Sequence, residues 1–224
     1  MSVKHVIILA AGKSLQIDGK NKLLIRHPAT GKTILDYAIE AFTGKDITLV
    51  VGYGAVQIME NYPYLNYIIN ENWAISNNAL SLSLALTQIK EPVYVISGDI
   101  FISQALIAEM DESAGNLILT ENRQNRNLNA THCVIEGKTL VEAYQGPVRS
   151  SEHPEAIGLF KISDEILLDH WNKRSLQHGN LFIAQTLPCM EKHPIFQYEP
   201  GTHYFHEINS TADYFRLIKE TRET

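Results

Sequence analysis

The sequence predicts a single mixed α/β domain with a mostly parallel central sheet flanked by helices, on three observations. Segments rich in branched and aromatic residues alternate with segments of helical spacing between residues 3 and 120. Such alternation implies right-handed crossovers and a parallel sheet covered on both faces. The second half then breaks that rhythm with a hairpin signal. The length also fits: 224 residues with 45% hydrophobic and 20% charged content are ordinary for one medium domain with a sizeable core.

Strand character is found at residues 3–10, 47–51, 67–70, 92–97 and 116–120. Helical spacing falls between them, at 33–43, 54–62, 77–90 and 103–112. The third of these helices has little polar surface, with Leu80, Leu82, Leu84, Ala85 and Leu86 close together, and should be largely buried. Gly137-Lys138 sits between two strand-like runs and suggests a hairpin, the small hairpin or lid region of the second half. The run EAIGLFKIS reads as a strand, with Ser163 or Asp164 capping the helix that follows. A last strand ends near Ile208, and Asn209-Ser210-Thr211 leads into a C-terminal helix. Residues 121–130 read as a loop at the sheet edge. No repeat or convincing linker divides the chain. Residues 1–224 are expected to form one domain, with a first half to about residue 120 and a second half from 121 to 224.

A net charge of −6 argues against a broad nucleic-acid-binding surface, which needs a basic face. No apolar run reaches the ~18–20 residues needed to cross a bilayer, and the N-terminal residues lack the pattern of a secretory signal. Cys133 and Cys189 lie far apart without a CxxC pattern, so reduced structural thiols are expected. The expected location is the cytoplasm, and the expected state a monomer or homodimer.

Against that acidic background the stretch VIILAAGKSLQIDGKNKLL places Lys13, Lys20 and Lys22 just past the first strand. Ligands of open parallel sheets bind beyond the carboxyl ends of the strands. There Leu9, Ala10, Ala11 and Gly12 present backbone N–H groups that a flat ligand can approach closely, and the lysines supply charge for phosphates. The same residues also make a plain tight turn before a solvated loop. Neither a Walker A loop nor a GxGxxG fingerprint is present.

Three later segments add chemistry. YVISGDIF puts Gly98-Asp99 after a buried strand, where a carboxylate can hold Mg²⁺ or simply shape a turn. NENWAISNNALSL offers Asn77 and Asn78 as helix caps, or as paired donors and acceptors for the edge of a pyrimidine. FHEINSTADYF carries Glu207, Asn209 and Asp213 at the start of the last helix. His203 and His206, three apart on a strand, point to opposite faces and do not suggest a zinc site.

In order and spacing these segments resemble the nucleotidyltransferases. LAAGKSLQIDGKNKLL is similar to their LAAGxGxRM or LAAGxSxRM signature with NK and LL after it, which aligns Gly12, Ser14, Asn21, Lys22 and Leu23. Gln16 stands where the family usually has an arginine that helps hold the triphosphate. The NNALSL segment is similar to the pattern of bacterial choline-phosphate cytidylyltransferases, with Asn70, Trp73, Asn77, Asn78, Ser81 and Leu82 in register. The C-terminal segment is similar to W-x-E-I-D-T-x-E-D-L, with Asn209 in place of a metal-binding aspartate. The NK form of the first motif also occurs in the MobA-like, molybdopterin-type enzymes.

The resemblance implies a Rossmann-like (GT-A-like) fold and Mg²⁺-dependent transfer of a nucleotidyl group with release of pyrophosphate. Ala10 to Gly12, with Leu9, Lys13, Gln16, Asn77, Asn78, Ser81 and Gly98, would bind the nucleotide. Lys22 would contact phosphates, Asp99 and Asn209 would hold Mg²⁺, and Glu207 would support the metal or the substrate cation. CTP and a small phosphorylated alcohol or amine, phosphocholine-like, are the implied substrates. Candidates for a cationic acceptor are Trp73, Tyr144, Trp171, Tyr204, Glu155 and Glu207. The alternatives are a sugar-1-phosphate or molybdopterin-type transferase using another NTP, and a nucleotide-binding protein that has lost catalysis. The second follows from Gln16 and Asn209 standing where the family uses charge.

Overall fold

His5–Ala10 forms strand β1, whose alternating side chains serve two cores. Val6, Ile8 and Ala10 enter one hydrophobic cluster and Ile7 and Leu9 the other, as the two-residue period of a strand covered on both faces requires. The computed structural model describes residues 3–13, 16–17, 20–122, 130–203, 205–208 and 211–220, without the side chains of residues 16, 17, 20 and 220.

After β1 the short strands β2 (Gln16–Ile17) and β3 (Lys20–Asn21) pair as a small antiparallel ribbon, and a 3-10 turn follows over Lys22–Leu24. Next come α1 (Ile34–Ala41), β4 (Asp46–Val51), α2 (Ala55–Asn61), β5 (Asn66–Ile69), α3 (Asn78–Gln88) and β6 (Val93–Ser97). A short β7 (Ile100–Ile102), α4 (Gln104–Glu112) and β8 (Asn116–Glu121) close the first half. The second half holds β9 (Thr131–Glu136), β10 (Thr139–Gln145), β11 (Glu155–Ile162), α5 (Glu165–Gln177), β12 (Ile195–Tyr198), β13 (Phe205–Glu207) and α6 (Thr211–Glu220).

The main sheet has nine strands in the order β5-β4-β1-β6-β11-β8-β12-β10-β9. Its first four are parallel, as expected from the alternation, and β12 also runs parallel to β8. Antiparallel β11 joins the two halves, pairing with β6 on one side and β8 on the other. The far end curls back, so that Glu155 of β11 also pairs with His132 of β9. The hairpin around Gly137 is β9–β10, and Gly137 takes the left-handed φ of 63° that such a turn favours.

Local chemistry explains the helix starts. Thr33 and Asp36 form a reciprocal capping box on α1. Asp164, rather than Ser163, caps α5, accepting from the N–H groups of Ile166 and Leu167 at 2.9 and 3.1 Å. Helix α3 is buried along Ala79, Ser81, Leu82, Ser83, Ala85 and Leu86. Leu80 and Leu84 are only partly covered, because α5 packs along one side of α3. Strands β7 and β12 were not expected from sequence. Each has four residues or fewer and exists through its partner, β13 for β7 and β8 for β12. The expected loop at 121–130 lies for the most part outside the described residues.

Lys161 ties β11 to the end of α4. Its buried ammonium donates to the carbonyl oxygens of Met110 at 2.7 Å, Ser113 at 2.6 Å and Asp111 at 3.3 Å. Burial lowers its pKa, with Asp111 opposing. Lys161→Met keeps the stem but takes the ammonium from the carbonyls of Asp111 and Ser113, while Met110 O keeps the Ser113 N–H at 3.2 Å, so it should cost roughly 2–3 kcal/mol. Chemical denaturation measures this, with activity per folded molecule unchanged.

Candidate active site

The carboxyl ends of β1, β5 and β6 open onto a cavity of about 330 Å³. Leu9, Ala10, Ala11, Gly12 and Lys13 form one wall, and Trp73, Asn77, Asn78 and Ser81 face them. Two close approaches set its shape. A Cβ at Gly52 would stand 2.7 Å from both Ala11 O and Trp73 Cβ, so only glycine lets the end of β4 pass between them. A Cβ at Gly98 would stand 3.2 Å from Leu9 O, to which the Gly98 N–H donates at 2.9 Å. Gly98, expected to touch nucleotide, therefore works behind the wall: it seats the β6–β7 turn against β1 and delivers Asp99 to the cavity.

Asn70, only 1% exposed, braces the floor. Its amide donates to Ser81 Oγ at 2.9 Å and Ser76 Oγ at 3.2 Å, and its Oδ1 accepts the Asn72 N–H at 2.9 Å. Asn77 caps α3, accepting the Asn78 N–H at 2.8 Å, while Asn78 Oδ1 accepts the Ile183 N–H at 2.9 Å. Capping and cavity lining thus coexist in the asparagine pair. Trp73 packs edge-on against Tyr53, with ring centroids 5.1 Å apart, and the Lys13 ammonium lies 5.9 Å from the Tyr53 ring.

Lys22 stands at the inner end. Asn21 caps the 3-10 turn that carries it, accepting the Leu23 N–H at 3.1 Å. Lys22 is 5% exposed, and its ammonium donates to Asp99 Oδ2 at 2.7 Å and to the Ile208 carbonyl at 2.9 Å. The Ile208 N–H in turn donates to the Asp99 carbonyl at 3.0 Å, extending the β7–β13 pairing. Three segments far apart in sequence thus meet at one ion pair.

A second cavity, about 340 Å³, continues from the first and shares Asn78, Ser97 and Asp99 with it. Its outer lining includes Thr131, Glu155, Gly158, Phe182 and Glu207. Sequence reasoning did not single out Ser97, Gly158 or Phe182. A glycine inside a strand-like run was the available signal for Gly158. It sits where the β11–β8 register slips between Ala156 and Phe160, at φ +77°, with an added Cβ only 3.0 Å from Ser97 Oγ. Gly158→Ala should cost about 1–2 kcal/mol and narrow the passage between the cavities. Urea unfolding checks the cost.

Of the expected site residues, Leu9 to Lys13, Lys22, Asn77, Asn78, Ser81 and Asp99 line the first cavity, and Glu207 lines the second. Ser14, Tyr204, Asn209 and the side chains of Gln16 and Lys20 lie outside the described residues. Trp171 is not at the site. It is wholly buried in the core, donating its indole N–H to Ile183 O and Thr186 Oγ1 at 3.1 Å each. Tyr144 is also set back, with its hydroxyl 2.9 Å from His153 Nδ1 and its ring under the Arg149 guanidinium at 3.9 Å. His203 pairs with Glu109, and His206 Nε2 lies 2.9 Å from Asp213 O. Burial pushes the Cys133 thiol up to about 12, which makes it inert.

The profile of the MobA-like NTP transferase domain matches residues 6–155, which carry the signature loop, the asparagine pair and Asp99. The chain belongs to the MobA-like NTP transferase family. Among curated proteins no sequence relative is found for this NTP transferase. Solved structures share its fold. The inositol-1-phosphate CTP transferase from T. maritima has a TM-score of 0.75 at 15% identity, covering 100% of this chain and 98% of that one. The CTP:phosphocholine cytidylyltransferase from Streptococcus pneumoniae has a TM-score of 0.76 at 19% identity, covering 99% and 100%. A putative glucose-1-phosphate thymidylyltransferase from Bacillus anthracis has a TM-score of 0.75 at 15% identity, covering 100% and 96%. These likenesses establish the Rossmann-like α/β architecture of the NTP transferase. No helix among its described residues is long and apolar enough to cross a membrane.

Proposed function

We propose that this NTP transferase moves CMP from CTP onto a small phosphorylated alcohol or amine, with Mg²⁺, releasing pyrophosphate. The observation that carries the proposal is the Lys22–Asp99 pair, which stands where the two cavities meet. Nucleotide occupies the first cavity and acceptor the second, so the reacting phosphates converge on that pair. The narrow wall of Ala10, Ala11 and Gly12 suits a flat base, and Asn77, Asn78 and Ser81 offer amide and hydroxyl groups suited to cytosine and ribose. The fold shared with two CTP-using enzymes is consistent with this choice.

Asp99 offers the hard carboxylate oxygens that a divalent cation takes, and among the described residues no cluster of three or more His, Cys, Asp or Glu adds to it. Asp99 Oδ2 and the Ile208 carbonyl both accept from the Lys22 ammonium, so an ion there would share Asp99 with Lys22. Asp99 would hold Mg²⁺, with Asn209 as the further ligand that the family resemblance implies. When bound, the ion supplies charge neutralisation to the phosphates. The acceptor phosphate is already an anion and needs no general base. Lys22 orients the α-phosphate and offsets the charge that develops there, while Asn77, Asn78 and the β1 turn hold the nucleoside for in-line attack.

Pyrophosphate release with Mg²⁺, each NTP in turn and a panel of small phosphates tests the proposal. Turnover with CTP and a small phosphorylated alcohol or amine is expected. Turnover only with another NTP and a sugar-1-phosphate overturns it. Calorimetric binding of CTP without any release would instead make the protein a non-catalytic nucleotide binder.

A further inference from the structure

On the α3 side of the first cavity the protein itself occupies the acceptor atoms of the polar side chains. Asn77 Oδ1 accepts the Asn78 N–H at 2.8 Å, and Asn78 Oδ1 accepts the Ile183 N–H at 2.9 Å. A backbone N–H only donates, so these bonds fix which end of each amide is oxygen. The NH₂ group of each is the end left for a ligand. Asn70 settles the same question for Ser81. Its Oδ1 faces the Asn72 N–H at 2.9 Å, so its NH₂ is the end that meets the serines. An amide NH₂ only donates, and Ser81 Oγ therefore accepts at 2.9 Å with its own hydrogen turned elsewhere. Ser76 Oγ accepts from the same NH₂ at 3.2 Å and passes its hydrogen to Asn72 O at 2.8 Å. Among the described residues Ser81 makes no such backbone bond, unlike Thr87 on the same helix, whose hydroxyl donates to Ser83 O at 2.8 Å. Ser81 lines the cavity, so its hydrogen is offered to the nucleotide.

That bias bears on which base fits. An unbiased hydroxyl is no filter, because it rotates to donate to an acceptor or to accept from a donor. A hydroxyl held as a donor tells the two apart, since a second donor placed against it leaves both unpaired. Among the pyrimidines the ring position that changes is N3, an acceptor in cytosine and an N–H in uracil and thymine. The exocyclic O2 accepts in all three, so a contact there would need no bias. Asn70 is almost wholly buried and spends its NH₂ on the two serines, so it acts through them and not on the nucleotide. We infer that Asn70 is a positioning residue for base choice: it holds the Ser81 hydroxyl as a donor to cytosine N3 and thereby turns uracil away.

This deepens the CTP reading above and rests on it. Calorimetry of CTP and UTP with Mg²⁺ on the whole chain measures base choice without an acceptor. The parent should prefer CTP by ~10-fold or more. Asn70→Asp reverses the bias, since a carboxylate oxygen only accepts and draws the Ser81 hydrogen to itself. With the Asn72 N–H and the serine hydroxyls donating to it, that carboxylate stays ionised at pH 8. Its charge acts on both triphosphates alike and cancels in the ratio. The CTP preference should fall by ~10-fold or more. Equal weakening of both nucleotides, as a merely structural role would give, overturns the inference. With Ser81→Ala already in place, Asn70→Asp should move the ratio by less than ~2-fold, and a shift as large as in the parent also overturns it. Ser81→Ala by itself is the second test should Asn70→Asp fold poorly. It should lower the CTP preference, and a preference left intact overturns the inference. A parent that binds UTP or a purine nucleotide more tightly overturns the CTP reading and the inference together. CTP preferred in binding, with no pyrophosphate release from any acceptor, sinks the transferase reading alone.

Discussion

Asp99→Ala should reduce pyrophosphate release by ~10³-fold or more, the largest functional loss of any single substitution in this protein. Asp99 is shared by both cavities and is the carboxylate partner of Lys22. Its removal takes away the proposed metal ligand and the anion that positions Lys22. It should also destabilise the fold, because the Lys22 ammonium, with a side chain 7% exposed, would keep only the Ile208 carbonyl among its two oxygen partners. Breaking a buried ion pair costs about 3–5 kcal/mol, and partial exposure of Asp99 should place this case near 2–3 kcal/mol. Asp99→Asn separates the two effects. It keeps an oxygen for Lys22 and should recover about half of the stability, with turnover still lost. Urea unfolding beside pyrophosphate release measures both. Full activity in Asp99→Asn would refute the role given to its charge.

Lys22→Met should lower turnover by ~10²–10³-fold, since the positive charge at the α-phosphate disappears while the stem still fills its slot. Its stability cost should be smaller than that of Asp99→Ala. The side chain of Asp99 is 21% exposed and can turn to water, so no buried charge is stranded. Combining Lys22→Met with Asp99→Asn should cost less than the two singles together, by about 1–3 kcal/mol, as contacting partners do. Additive stability costs would mean that the 2.7 Å contact contributes little to folding. A Lys22→Met variant as active as the parent would remove Lys22 from the chemistry altogether.

Much of the molecule was legible in the residues because it depends on near neighbours. Alternating branched and helical segments determine the parallel half, since strand and helix periods are local. Asn77 and Asp164 cap helices because a short polar side chain reaches the first turn's N–H groups within three residues. The small-residue turn at Ala10 to Gly12 and the carboxylate at Asp99 both follow buried strands, so the carboxyl edge of the sheet was predictable as the site.

Tertiary structure alone decided the rest. Lys22 and Asp99 are 77 positions apart, and Lys22 and Ile208 are 186 apart. Their meeting depends on β7 pairing with β13, two three-residue strands that neither segment specifies by itself. Trp171 and Tyr144 offered the same aromatic chemistry in the sequence as a cation cage requires. Packing buried one in the core and laid Arg149 over the other. Glu155 looked like any strand carboxylate until the sheet curled and set it in the wall of the second cavity. Local spacing determines which elements form, because propensity and capping act over a few residues. Which charges meet is determined by pairings across the whole chain, and in this protein those meetings make the site.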